Sequence, residues 1–371
     1  MRVLQLTADY LNRPFYRILF GKLEALGVEL QIYTPVNRKR KDVSQRNDQV
    51  FIDPCFSTAD RALFYTKQRS MYRSLRGWAD FSKIDVMHAH TLFSAGYAAW
   101  KLHQETGTPY IVAVRSTDVN VFFKYMVHLR HVGVQILKDA YRVVFLSPAY
   151  RDFVIERYIP SEIQADIRGK SLVIPNGIHD FFLQNRPEPR TRLSEPVTVM
   201  YAGEINSNKN LELTVQAVKL LRQQGREVTL TAVGEIQAEK YQKLIDETPF
   251  LTYFPRCPRE GVLEHLRQSD IFVMPSHTET FGLVYAEAMS QGLPVLYTRG
   301  QGFDRQFPDG TVGYAVSDTD PAELAEKLQR VMAEYPRLSE NCIANVSRFD
   351  WGIIAEEYQN IYRDACSAHR M

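Results

Sequence analysis

Short apolar runs alternate with longer stretches of helical spacing along the chain, and this alternation predicts most of the architecture. Residues 3–8 (VLQLTA) read as a strand, 14–26 as a helix closed by Gly27, and 28–33 as a second strand. A β-α-β start of this kind marks a doubly wound sheet. Residues 35–57 are polar and basic, with RKRK at 38–41, and read as an exposed loop. Helical spacing returns over 58–81, where Leu63, Lys67, Met71, Leu75 and Trp78 share one side, interleaved with Arg69, Arg73 and Arg76. Residues 85–88 form a short strand running into HAHT, 92–106 a helix, and 110–114 a strand followed by RSTDVN. A helix over 121–140 mixes Phe122, Phe123 and Tyr125 with Lys124, Arg130 and Lys138, and 142–146 is again a strand.

The pattern then pauses. SLVIPNGIHD at 171–180 leads into 185–196, rich in proline and charge, which reads as a linker. Beyond it come a strand at 197–202, a helix at 209–224 closed by Gly225, a strand at 228–233, and further helix–strand units as far as 297. Two of the apolar runs, 270–275 (DIFVMP) and 293–297 (LPVLY), have the length and content of buried parallel strands. Between them SHTETFGLVYAEAMSQG (276–292) carries a helix from Gly282 to Gln291. Helices at 320–335 and 351–368 complete the pattern.

The expected fold class is therefore α/β, with two Rossmann-like doubly wound domains at 1–184 and 185–350 and a last segment, 351–371, packing back on the first. Ligands of such sheets bind outside the carboxyl ends of the strands, and two facing sheets would leave a cleft. Length agrees with two domains: 371 residues exceed one typical domain. The net charge of +2 hides a split, with 25 Lys and Arg against 17 Asp and Glu in residues 1–185, and 20 against 26 in the rest. A basic first half suits something anionic. Cys55, Cys257, Cys342 and Cys366 are scattered without a CxxC pair, which reads as a reducing compartment and no structural zinc. Met1-Arg2 runs straight into a strand, the reading being no signal peptide, and no apolar run approaches the roughly 18–20 residues of a spanning helix.

The chemistry gathers at strand ends in the second half. GEINSNKN (203–210) puts Lys209 at a helix start, where a cation opposes the dipole unless an anion such as a diphosphate sits there; the plain alternative is a solvated surface lysine. Glu279 lies just before the helix of 276–292 and Glu287 inside it, on a helix apolar nearly all round. A half-buried carboxylate needs a partner, and ribose hydroxyls suit one that only accepts. RGQGFD (299–304) offers glycines for close approach of a ligand, and PRCPRE (255–260) a loop whose backbone could face a base. Asp318-Thr319-Asp320 has the look of a metal motif, but Asp320, Pro321 and Glu323 spell a helix cap. In the first half His88 and His90 read as a cleft-lining pair, and Arg115, Ser116 and Asp118 follow a strand. Arg115 suits a phosphate or sugar acid, with an Arg115–Asp118 salt bridge as the alternative.

The frame PSHTETFGLVYAEAMSQGLPV, with Glu279, seven residues and then Glu287, resembles the signature of family 4 retaining glycosyltransferases of GT-B fold. The resemblance covers nearly the whole chain: PNGI (175–178) looks like the interdomain segment, GEINSNKN like the donor-diphosphate loop, and 309–328 like the stretch after the donor site. It implies transfer of a sugar from a nucleotide-diphosphate sugar, a UDP-sugar first, to a glycan or lipid-linked acceptor in bacterial cell-surface polysaccharide synthesis. Glu279, Lys209 and Arg115 are the implied catalytic residues. Gly203, Glu204, Lys209, Arg256, Cys257, Glu279, Thr280, Phe281, Gly282, Leu283 and Glu287 would bind the donor, and His90, Ser116 and Asp118 would lie on the acceptor side. No metal and no further cofactor is implied. The sequence departs from the family where an arginine usually follows the glycine of the diphosphate loop, here Glu204, and where a His-Gly strand end is replaced by Arg115-Ser116. The first strand also lacks the usual Gly-Gly and is followed by ADYLNRP. A sugar phosphorylase, an epimerase of nucleotide sugars and a non-catalytic nucleotide-binding protein remain alternatives. The basic aromatic helices have the composition of an interfacial helix, so an anionic membrane surface is a possible partner, against a core-facing helix with a solvated basic side. No nucleic-acid motif is present. The expected location is cytoplasmic, peripheral at the inner face of the cell membrane.

Overall fold

Two sheets, each with its own core, organise the computed structural model, which describes residues 1–58, 60 and 63–370. The chain divides into one unit of residues 1–146, 151–174 and 351–371 and a second of 147–150 and 175–350. The crossing at 174/175 lies ten residues before the boundary expected at 184/185, because PNGI already belongs with the second unit.

The first unit holds β1 (Arg2–Leu6), β2 (Glu29–Asn37), β3 (Gln45–Arg46), β4 (Val50–Phe56), β5 (Val86–Ala89), β6 (Tyr110–Ala113), β7 (Arg142–Phe145) and β8 (Ser171–Val173). Their order is β3-β4-β2-β1-β5-β6-β7-β8, parallel throughout except for β3 against β4. The order reverses at β1, between β2 and β5. The loop expected at 35–57 is thus mostly strand: β4 buries Phe51, Ile52, Cys55 and Phe56 beside β2, its apolar positions having been masked by the charged run before them.

Both basic helices of this unit are shorter than their spacing suggested. The first is Phe64–Arg76, burying Gln68, Met71 and Leu75; residues 59, 61 and 62 of the expected 58–81 stretch lie outside the described residues. The second breaks into a π-helical turn Asp118–Phe123, a 3-10 turn Val127–Leu129 and the helix Arg130–Asp139. The C-terminal helix Trp351–Arg370 belongs to this unit's core, placing Trp351, Ile354, Tyr358, Ile361, Tyr362 and Ala365 with Val3, Leu23, Ile32 and Val86.

The second unit holds β9 (Val197–Ala202), β10 (Val228–Val233), β11 (Leu251–Phe254), β12 (Ile271–Met274), β13 (Val295–Thr298) and β14 (Gly313–Val316). All neighbours are parallel, in the order β11-β10-β9-β12-β13-β14. The reversal falls between β10 and β12, at β9, and the loops the sequence singles out leave β9, β11, β12 and β13. Near-continuous burial of β12 and β13 fits strands covered on both faces.

Candidate active site

At the end of β9 the chain turns through Gly203 and Glu204 and enters the helix Leu211–Gln223 at Asn210, held in the left-handed region at φ 58°. Asn210 is fixed there by its side-chain amide, which donates to the carbonyls of Pro275 (3.1 Å) and Asp318 (2.8 Å). This ties the diphosphate-type loop to the ends of β12 and β14. Lys209, one residue earlier, ends against Glu279 as an ion pair, with both side chains largely covered. The solvated-lysine reading therefore does not apply.

Glu279 is held from every side. Its N–H donates to Gln301 Oε1 (2.9 Å), and its carbonyl accepts from Gly302 N (2.6 Å). A Cβ on Gly302 would come within 2.0 Å of the Thr280 carbonyl carbon. The close approach that the glycine permits is thus to the chain's own backbone at Thr280–Phe281, not to a ligand, and loop 299–304 braces Glu279. Gly282 then starts the helix Leu283–Met289 at φ 77°, where a Cβ would strike Tyr285 at 2.4 Å. Tyr285 is itself locked by its hydroxyl donating to the Met274 carbonyl at 2.5 Å. The first N–H groups of any helix lack an intrahelical acceptor.

Beside this turn lies a cavity of about 350 Å³ lined by Gly203, Glu204, Gly234, Glu235, Arg256, Cys257 and Glu287, with Val262 and Val284 among its apolar walls. Five residues expected on the donor side meet in it: Gly203, Glu204, Arg256, Cys257 and Glu287. Thr280, Phe281, Gly282 and Leu283 stand at the turn carrying Glu279 and do not line it. Gly234, Glu235, Val262 and Val284 went unassigned; the place of Gly234-Glu235 at the end of β10, next to the reversal, was the available signal. Burial pushes the Glu287 carboxyl up to about 7, with Arg259 pulling the other way. Glu204 is exposed and accepts from Asn206 Nδ2 at 3.1 Å.

Asp320 caps the helix Pro321–Ala333, its Oδ1 accepting from Ala322 N (2.9 Å) and Glu323 N (3.1 Å), and Asp318 accepts from His277 Nδ1 at 2.7 Å. The metal-like triplet is a helix start. Among the described residues no three His, Cys, Asp or Glu side chains gather closely enough to hold a metal ion.

The first unit requires corrections. His88 and His90 do not line an opening; both are fully buried. The Tyr362 hydroxyl lies 2.7 Å from His88 Nδ1 and takes a bond from Gln5 Nε2 (3.3 Å), while Gln5 Oε1 meets His90 Nε2 at 2.7 Å. Burial holds the His88 imidazole down at about 3, and burial together with His88 and Arg115 holds His90 well below its ordinary value. Two neutral imidazoles in the core cannot serve an anionic acceptor.

Asp118 is also buried. Its carboxylate accepts from the N–H groups of Leu92 (2.9 Å), Phe93 (3.0 Å) and Arg115 (2.9 Å), and burial raises its pKa to about 6. It fastens the turn after β5 to the turn after β6 and is not an acceptor ligand. Arg115 is half-buried, its Nε donating to the His90 carbonyl (3.3 Å) and its side chain bonding Tyr358. Ser116 is exposed and accepts from Asn120 Nδ2 (3.1 Å).

This geometry has known relatives. A family model described as "Glycosyl transferases group 1" matches residues 184–349, and one described as "Glycosyl transferase 4-like domain" matches residues 17–168. The chain belongs to the GT-B glycosyltransferases of family 4 type. Among curated proteins this glycosyltransferase is 28% identical to the D-inositol 3-phosphate glycosyltransferase of Streptomyces avermitilis, over 77% of this chain and 66% of that one. It is 24% identical to the phosphatidyl-myo-inositol mannosyltransferase of Mycobacterium leprae, over 81% and 78%. The match spans 55% of the Corynebacterium kroppenstedtii relative named like the first, so the chain covers under two thirds of the first such relatives. The fold is that of sucrose-phosphate synthase from Thermosynechococcus elongatus, with TM-score 0.73 and 20% identity over 99% of this chain and 100% of that one. It is also that of Anabaena HepE in complex with UDP, with TM-score 0.69 and 14% identity over 97% and 99%.

Proposed function

We propose that the enzyme moves a sugar from a nucleotide-diphosphate sugar, a UDP-sugar first, to a glycan or lipid-linked acceptor, with retention of configuration at the anomeric carbon. One observation carries the reading: the Lys209–Glu279 pair stands beside a carboxylate-lined cavity where the second sheet reverses its strand order. A nucleoside fits the cavity, with its ribose hydroxyls donating to Glu287 and its base against the 255–260 loop. The diphosphate then reaches Lys209, which stabilises the charge that develops as the glycosidic bond breaks. Lys209 takes the place of a metal, and no metal or further cofactor enters the reading. Glu279, held by Lys209 and the 299–304 loop, contacts the donor sugar. Its pairing with Lys209 makes it a poor nucleophile, which favours attack by the acceptor on the face the leaving phosphate occupies, with that phosphate taking the acceptor's proton. Glu204 stands where relatives usually carry an arginine, so Lys209 has more of the diphosphate charge to itself. Ser116 is left as the acceptor-side residue of the first unit, with Arg115 beside it in the catalytic role the resemblance implies. The setting is cell-surface polysaccharide synthesis, in the cytoplasm at the inner face of the membrane.

Thermal-shift screening of the full chain against UDP-, GDP- and ADP-sugars tests this. One donor class should raise the melting temperature, and Lys209→Ala should abolish that shift while lowering turnover by about a hundredfold or more. The anomeric configuration of the product, read by NMR, should match that of the donor. Absence of any shift, or an inverted product, would sink the reading.

A further inference from the structure

The asparagines of GEINSNKN (203–210) do different things. The loop leaving β9 first follows β10: Gly203 N donates to the Val233 carbonyl (2.9 Å) and Ile205 N to the Glu235 carbonyl (2.9 Å). The ladder between β9 and β12 ends at Met200 and Phe272. The sheet therefore does not set Lys209, on the first loop, in register with Glu279, on the second. Asn206 serves its own loop, its Oδ1 accepting from Lys209 N at 3.0 Å. Asn208 and Asn210 carry the chain across to the loop after β12.

Asn208 makes the crossing next to the ion pair. Its Nδ2 donates to the Thr278 carbonyl (2.9 Å), its Oδ1 accepts from Thr278 N (3.0 Å), and its own carbonyl accepts from His277 N (2.8 Å). The side-chain amide thus pairs with the Thr278 backbone as a neighbouring strand would, one residue before Lys209 on one loop and one before Glu279 on the other. An amide offers donor and acceptor side by side; an aspartate would set an oxygen against the Thr278 carbonyl. Asn210 reaches Pro275, further back along the second loop. A lysine stem is flexible, so its ammonium finds a fixed carboxylate reliably only when the two backbones are themselves in register.

We propose that Asn208 is a positioning residue of the donor site, registering Lys209 against Glu279 so that cation and carboxylate are aligned before a diphosphate sugar arrives. The proposal rests on the donor reading above. Asn208 acts through Lys209 and not on the ligand: it does not line the cavity that takes the nucleoside, and its amide faces Thr278. A charge already in place costs no reorganisation when the ligand binds. A lysine left to search among its rotamers loses part of that gain to ordering.

Amide hydrogen exchange of the nucleotide-free full chain, followed by calorimetric titration with UDP-, GDP- and ADP-glucose, tests it. Asn208→Ala should speed exchange at Thr278 by about tenfold or more while Ile271–Met274 keep their protection. The variant should still melt cooperatively, lower by about 2–6 °C. It should weaken the diphosphate sugar that binds best by about tenfold, and the nucleoside monophosphate of the same base by less than about twofold, since the cavity is untouched. In the Lys209→Ala background no cation is left to align, and adding Asn208→Ala should cost less than about a further twofold. Unchanged exchange at Thr278, equal weakening of monophosphate and diphosphate sugar, or a full second tenfold loss in the Lys209→Ala background would overturn the proposal; the last two are what a general loosening of the loop would give. A native chain that binds none of the three sugars overturns the donor reading and this role with it, whereas native binding with unchanged affinity in Asn208→Ala overturns this role alone.

Discussion

Glu287 is where burial and function pull apart. Its carboxyl titrates near 7 because the surrounding protein disfavours the charge. An unfolded chain would ionise it at the ordinary carboxylate value, so between about 4.5 and 7 the folded state binds more protons than the unfolded one. Stability from this group is therefore greatest below that window and falls as pH rises through it, by on the order of 2 kcal/mol once partial exposure is discounted. Glu287→Gln should flatten this stretch of the melting-temperature profile and leave the protein more stable at pH 8. The same variant should lose donor affinity, because an amide oxygen accepts from ribose hydroxyls more weakly than a carboxylate and its NH2 group cannot accept at all. Donor affinity of the native enzyme should accordingly rise with pH through 7, the opposite direction to stability. Isothermal titration beside thermal melts checks both trends; parallel trends would remove Glu287 from the donor site. The Lys209–Glu279 pairing was half legible in sequence. A cation at a helix start and a carboxylate ahead of another helix were both visible, but nothing in linear spacing says that residues seventy positions apart meet. The buried histidines misled for a related reason: HAHT looks polar, and only Gln5 and Tyr362, far away in sequence, show that one nitrogen of each imidazole is bonded inside the core.

At the scale of elements, local pattern found strands and helices wherever one period held throughout. It failed where a second demand intervened. The expected helix 121–140 is broken at Met126, whose backbone leaves the helical region at φ −96° and ψ 63°, while Phe122 stacks on Phe93 and Phe123 meets both Phe93 and Tyr158. Gly133 in the helix Arg130–Asp139 belongs to the same arrangement. Alanine is ordinarily worth about 1 kcal/mol more than glycine inside a helix. Here a Cβ would fall 2.6 Å from Phe93 Cζ and 3.2 Å from Phe123 Cζ, in a core with no slack. Gly133→Ala should therefore destabilise by about 1–3 kcal/mol, read as a lower urea midpoint. A stabilised variant would show that the ring stack can shift. The loop 299–304 gives the parallel case at the donor site. Gly302→Ala should displace the Thr280–Phe281 backbone and lower turnover severely through Glu279, an effect that Gly300→Ala, with open space around its Cβ position, should not reproduce through packing.

For the whole molecule, the two sheets were legible because each is a near-complete run of β-α repeats, and segment 351–371 was expected to pack back on the first; what local pattern could not show is which of its side chains complete that core. Trp351, Ile354, Tyr358, Ile361 and Tyr362 are buried against β1, β2 and β5, and Tyr362 carries the hydroxyl that joins Gln5 to His88. Burying five large side chains contributes on the order of 10 kcal/mol, comparable with the entire stability of a typical domain. A chain ending at Asp350 should therefore leave the first unit unable to hold its fold, while the second unit, whose core lies within its own residues, keeps a cooperative transition. Calorimetry of the truncated chain should show one transition lost and one retained, and donor-induced stabilisation of the retained transition would mark it as the second unit. Tyr362→Phe separates packing from hydrogen bonding: it keeps the ring, removes the hydroxyl, and leaves a buried imidazole and a buried amide each short of a partner. That loss should cost about 1–3 kcal/mol and lower the first unit's transition alone. If both transitions moved together by the same amount, the C-terminal helix would be acting on the two units jointly and the assignment of residues 351–370 to the first core would fail.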